Sequence, residues 1–234
     1  MKRLVLIGFS LLSAVLNTAH ADMISAVSYS MLNGNQGSKT YFDDDYTGSG
    51  DTSVANALLS GGLGKLTDGV IADEIWCNTE SSGTCNALGD DINGQYVGWV
   101  NMNPVITFSF APGTEINRMY IYADDSEYSP ATRTVTEGAF GYGGLSAPES
   151  VMVSELSQTF GLGNVANAGP NTYVIDFDTL MTDTLTLQFN RSTQWIFISE
   201  IQFENTAAAQ DVNTPSTVVM MFAGLLVLMR ARRK

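Results

Sequence analysis

The chain has 234 residues, with 24 acidic side chains against 11 basic ones and a single histidine, His20. Six basic residues crowd the two ends (Lys2, Arg3, Arg230, Arg232, Arg233, Lys234), leaving five against all 24 acids between them, a formal charge of −19. A body that acidic repels phosphate backbones, which excludes nucleic acid as a partner. The 44% of hydrophobic residues supplies enough apolar area to offset chain entropy, which excludes a disordered tail.

Residues 1–21 read as a signal peptide. Lys2-Arg3 opens the segment, Leu4 to Leu16 is mostly apolar, and Ala19-His20-Ala21 is a small-x-small cleavage pattern. Such a run spans only about 20 Å as a helix, against about 30 Å of bilayer hydrocarbon, so export is favoured over a transmembrane anchor. Cleavage makes Asp22 the first residue and removes the only imidazole. The exported chain then has no Ser-His-Asp or Cys-His catalysis and no His-ligated zinc.

The body, residues 22–206, shows period-two apolar runs in chain order at Ile24–Tyr29, Tyr96–Val100, Val105–Phe110, Ile116–Tyr122, Ser150–Leu156, Tyr173–Phe177, Leu185–Phe189 and Trp195–Phe203. Strict alternation in Ile106-Thr107-Phe108-Ser109-Phe110 and Leu185-Thr186-Leu187-Gln188-Phe189 predicts strands with one buried face. No stretch keeps a helical period for three turns, although Ser53–Leu59 has room for one turn or two. About eight strands with no helices to cover a parallel sheet predict an all-β, antiparallel sandwich.

Between the runs lie the candidates for chemistry. Gly61-Gly62-Leu63-Gly64-Lys65 is rejected as a phosphate loop, because no Ser or Thr follows the lysine and no clear strand precedes it. Cys77 and Cys85 are expected to pair as a structural disulfide in an oxidising compartment, stabilising by roughly 2–3 kcal/mol. The acidic groups Asp43-Asp44-Asp45, Asp73-Glu74, Asp90-Asp91 and Asp124-Asp125 read chiefly as solvated surface. None has the spacing of an EF-hand loop. Phe140 and Tyr142 stand in the glycine-rich stretch Gly138–Gly144, where they either pin the loop or stack on a sugar ring. With 24 acids, carboxylate pairs of glycosidase type arise by chance, so nothing marks an enzyme active site.

Residues 207–234 form a tail of a different kind. Val212 and Pro215-Ser216-Thr217 precede twelve apolar residues, 218–229, with Gly224 among them, and Arg230, Arg232 and Arg233 follow. This order resembles the PEP-CTERM sorting signal, although Asn213 and Thr214 stand where that family has Pro and Glu. The resemblance implies delivery to the inner membrane with the basic end in the cytoplasm, and processing by an exosortase-type enzyme. It also implies release to the cell surface or extracellular matrix. A plain tail anchor is the alternative.

The body carries a second resemblance. An Asp68-Gly69 turn precedes Trp76, Val105-Ile106-Thr107-Phe108-Ser109-Phe110 has the "hydrophobic-x-Phe-x-Phe" form, and Pro148-Glu149-Ser150-Val151-Met152-Val153 follows. The last strand ends in Glu200-Ile201-Gln202-Phe203. Together these resemble the galactose-binding-like, or discoidin-like, jelly roll. The resemblance implies a structural calcium between Asp68 and Glu200, with Asp73 near enough in sequence to assist. It also implies carbohydrate or exopolysaccharide binding without catalysis. A purely structural surface or biofilm protein is the alternative, and a carbohydrate-active hydrolase the third reading.

Overall fold

The structure is a computed structural model and describes residues 21–37, 40–79, 94–129, 134–136, 148–163, 170–191 and 194–206. Its strands, in chain order, are β1 (Ala21–Ile24), β2 (Ser28–Leu32), β3 (Leu58–Gly62), β4 (Val97–Val100), β5 (Val105–Ser109), β6 (Glu115–Asp124), β7 (Glu127–Ser129), β8 (Thr134–Thr136), β9 (Pro148–Val153), β10 (Gln158–Gly161), β11 (Pro170–Met181), β12 (Thr184–Arg191) and β13 (Trp195–Thr206). Helix among the described residues is confined to one turn, Trp76–Thr79, and a 3₁₀ turn at Ser154–Leu156.

Two antiparallel sheets make the sandwich. One runs β1-β13-β6-β11, with β4 also paired to β13. The other runs β10-β9-β12-β5-β2-β3, and β7-β8 is a separate hairpin. Residues Asp22–Thr206 form one compact unit; the other unit, Met1–Ala21 with Ala207–Lys234, lies outside the described residues apart from Ala21.

The alternation explains the core. In the β5–β12 pair, Phe108 opposes Leu185 and Ile106 opposes Leu187, and all four are fully buried. Each such side chain contributes about 1.5–3 kcal/mol by leaving water. From the opposite sheet, Met119 and Ile121 of β6 and Ile201 and Phe203 of β13 face them across the same core. Trp99 of β4 is fully buried, and its indole Nε1 donates to the Leu32 carbonyl at 2.9 Å. A buried indole needs such a partner.

Several sequence expectations are corrected. Ile24–Tyr29 is not one strand but the end of β1 and the start of β2, which lie in different sheets. Ser53–Leu59 is not helical: Asn56 is left-handed (φ 58°), and the chain enters β3 at Leu58. The glycine-rich segment 61–65 does follow a strand, because Gly61 and Gly62 end β3. Gly62 leaves room for the backbone of Gly48, to which a Cβ would come within 2.5 Å.

Lys65 then folds into a buried polar knot rather than toward a ligand. Asp43 accepts from the Tyr29 hydroxyl and from Lys65 N–H (2.9 Å), while Lys65 Nζ donates to the Phe42 carbonyl (2.9 Å) and pairs with Asp44. Asn33 Oδ1 accepts from Asp43 N–H (2.9 Å) and its Nδ2 donates to the Thr52 carbonyl (3.0 Å). Burial raises the Asp43 carboxyl above its usual range. Part of what reads as solvated acidic surface is therefore the clasp that ties the 33–57 segment to the sandwich.

Candidate functional site

The sheet formed by β1, β4, β6, β11 and β13 has an outer face with two halves, and β13 runs through both. Its first residues, Trp195 to Ile198, are apolar in succession, which fits a strand covered on both sides. Ile196 and Ile198 enter the main core, whereas Phe197 points outward into a second cluster with Tyr41, Ala72 and Tyr96. Trp76 and Trp195 both stack on Phe197, each with its centroid 5.2 Å from that ring and its plane within 10° of it. Tyr41 meets all three rings edge-on. Gly98, opposite Phe197 in the ladder, is required here: a Cβ would stand 2.4 Å from the ring.

The 66–79 segment covers this half. Ile201 N–H donates to the Leu66 carbonyl (2.9 Å), Ala72 N–H donates to Ser199 Oγ (3.4 Å), and Trp76 N–H donates to Asp124 Oδ2 (2.8 Å). Asp124 is fully buried and also accepts from the Ser126 amide and hydroxyl. Burial nevertheless raises it to about 6.

At the border between the halves β13 bulges between Ile198 and Glu200. The extra residue restores Ile201 and Phe203 to the core and re-aims Glu200 toward the Asp68-Gly69 turn. Glu200 is 3% exposed. Its Oε2 accepts from Gly69 N–H (3.3 Å) and its Oε1 from Gln202 Nε2 (3.4 Å). Gly69 takes φ 82°, a conformation that favours glycine. Burial, with the nearby Asp68 charge adding to it, raises Glu200 to about 7. Asp68 is raised too, chiefly by desolvation, and its Oδ1 accepts from Val70 N–H (2.7 Å).

Both carboxylates line a cleft of about 430 Å³ between the 23–26 stretch and the 63–69 loop. Asp73 is exposed and does not line it. Among the described residues no group of three or more acidic, histidine or cysteine side chains is placed to hold a metal. The donor chemistry still fits an oxygen-seeking cation: two carboxylates that disfavour each other's charge line one cleft.

Below Glu200 the outer face opens toward β11: Thr172, Val174 and Asp176 are exposed, Arg118, Tyr120, Tyr122 and Gln202 are half-buried, and Glu204 is buried. The registers place three rows of three residues across β11, β6 and β13: Thr172, Tyr122 and Glu200; Val174, Tyr120 and Gln202; Asp176, Arg118 and Glu204. The tyrosine rings stand nearly parallel, 6.5 Å apart. Each hydroxyl leans one row along: Tyr122 donates to Gln202 Oε1 (3.2 Å), and Tyr120 to Glu204 Oε2 (2.5 Å). Arg118 bridges the last row, with Nε 2.5 Å from Asp176 Oδ1 and Nη1 3.5 Å from Glu204 Oε2. These groups were visible in the sequence as the outward residues of Arg118-Met119-Tyr120-Ile121-Tyr122, but alternation alone does not tell which face stays open.

The remaining sequence candidates fall elsewhere. Phe140, Tyr142, Cys85 and the tail residues Val212, Pro215, Ser216, Thr217, Arg230, Arg232 and Arg233 lie outside the described residues, as does the Cys77 side chain. Within the described residues no helix is long and apolar enough to cross a membrane.

Fold and registers define a galactose-binding-like β-sandwich. The model of the DS-like domain of discoidin domain-containing receptors 1 and 2 matches residues 25–205, and the chain belongs to that family. No curated protein matches the sequence. Among solved structures, similar chains include the Streptococcus pneumoniae β-galactosidase BgaA (10% identity, 78% of this chain and 97% of that one, TM-score 0.36). Another is a Clostridium perfringens family 32 carbohydrate-binding module in complex with GalNAc-β-1,3-galactose (16%, 47% and 77%, 0.28). A third is chitosan-binding module 1 from a Paenibacillus chitosanase/glucanase (8%, 47% and 76%, 0.26).

Proposed function

We propose that the protein is an exported, non-catalytic glycan-binding module that works at the cell surface or in an extracellular polysaccharide matrix. The observation that supports it is the open half of the outer face, where two parallel tyrosine rings stand among side-chain donors and acceptors. Aromatic surface bordered by fixed hydrogen-bonding groups suits sugar rings, which present C–H faces and hydroxyl edges.

In this reading Asp68 and Glu200, completed by backbone carbonyls and water, hold a calcium ion that neutralises the buried carboxylates and fixes the 66–79 segment. Residues 1–21 direct export, the 207–234 tail directs exosortase-type sorting at the inner membrane, and Cys77 pairs with Cys85. A pull-down of the chain on the producing cell's own exopolysaccharide, with and without EDTA, tests the binding. Retention above that of a non-binding control is expected. Equal retention of both would leave the structural surface protein as the better account. The mass of the released protein tests the sorting, since a form that still contains Phe222 to Lys234 means a plain tail anchor.

A further inference from the structure

We infer that the open half of the outer face takes an uncharged polysaccharide, and that the row Asp176–Arg118–Glu204 sets this selectivity against acidic glycans. The inference rests on the glycan reading above and names the class of ligand. Its basis is how the charge on this face is already spent. Arg118 is the one cation of the three rows, and it is held between two carboxylates, Asp176 on one side and Glu204 on the other. A uronate, sulfate or phosphate would have to displace one of them and would find no second cation beside it.

The middle row, Val174, Tyr120 and Gln202, is uncharged, and Val174 is 51% exposed. It offers apolar surface and an amide. Asp176, 65% exposed at the rim, offers an acceptor for sugar hydroxyls, whereas Glu204 is buried and held by Tyr120 and Arg118. Neighbouring strands lie about 4.8 Å apart and alternate residues about 6.8 Å, so three rows on three strands cover about 10 by 14 Å, room for a short stretch of chain. Around this patch the body carries −19, which repels anionic polymers at long range. The stacked Trp76, Phe197 and Trp195 do not compete for the role, because Trp76 and Trp195 each spend a ring face on Phe197, which is itself buried.

The test is native gel retardation of the full chain in gels containing dextran, galactomannan, alginate or chitosan. Retardation by a neutral polymer and none by alginate is expected. Tyr120→Ala should weaken neutral binding roughly tenfold, while Tyr120→Phe, which keeps the ring, should weaken it less. Asp176→Lys should leave neutral binding within a few-fold and admit alginate, because it releases Arg118 from one of its two carboxylates and adds a second cation. Circular dichroism confirms that each variant is folded. Retardation by alginate in the original chain, salt-sensitive binding to chitosan alone, or an Asp176→Lys variant still blind to alginate would overturn the assignment. Neutral binding that survives Tyr120→Ala intact would place the ligand elsewhere while sparing the glycan reading. No retardation by any polymer would sink that reading as well.

Discussion

The two outer faces of the sandwich are built from the same alternating strands and have become different surfaces. On the six-stranded sheet, Ser28 and Ser30 of β2, Thr107 and Ser109 of β5, and Thr186 and Gln188 of β12 point outward. They are uncharged, and the hydroxyls of Thr107 and Thr186 pair at 3.2 Å. On the five-stranded sheet the outward residues include the aromatic Tyr120, Tyr122, Trp195 and Phe197 and the charged Arg118, Asp176, Glu200 and Glu204. Half of them lie beneath the 66–79 segment, and the other half stay open. Alternation therefore decides which side chains leave the core, whereas loops decide which of those become a second core and which remain a surface.

Truncation separates the faces most sharply. Phe197→Ala removes an outward residue that behaves as core, and should cost about 3–5 kcal/mol in urea unfolding. A loss below about 1 kcal/mol would mean that the second cluster is surface after all.

Calcium comes next. At 100 times its dissociation constant a ligand adds about 2.7 kcal/mol, seen as a higher melting temperature over the chelated protein. Glu200→Gln should abolish the gain, and an equal gain in the variant would move the ion elsewhere.

Acidity probes the covered half in chelator. Glu200 is raised to about 7 and Asp124 to about 6, so the folded chain binds more protons than the unfolded one from about pH 4 to 7. Their contribution is fully present below the unfolded values and is lost as pH rises through 6 and 7. The melting temperature should therefore climb by several degrees from pH 8 to pH 5, and Glu200→Gln should flatten the upper part of the climb. A steady fall over that range would contradict the burial of these carboxylates. The smallest effect is expected on the bare sheet, where Thr107→Ala should stay within about 0.5 kcal/mol.

The strands in the middle of the chain were legible because Ile106, Phe108, Leu185 and Leu187 alternate without interruption. β3 was not, since Leu-Leu-Ser-Gly-Gly has no alternation to read and owes its place to the close backbone of Gly48. The approach of Asp68-Gly69 to Glu200 came through a family pattern and is present. Asp73, chosen only for nearness in sequence, lies outside the cleft. The clasp of Tyr29, Asp43 and Lys65 joins residues up to 36 positions apart, and a run of three aspartates gives no sign that the first is buried. Tyr120 and Tyr122 looked like ordinary strand residues because their value as a surface depends on where the 66–79 segment stops.

Hydroxyl-radical footprinting of the full chain, with and without a saturating neutral polysaccharide that retards it, tests the central claim most directly. Protection concentrated on Tyr120, Tyr122 and Val174, with Leu32 and Met152 of the opposite face unchanged, is the expected result. Protection on Leu32 and Met152 instead, with the two tyrosines as reactive as before, would contradict it.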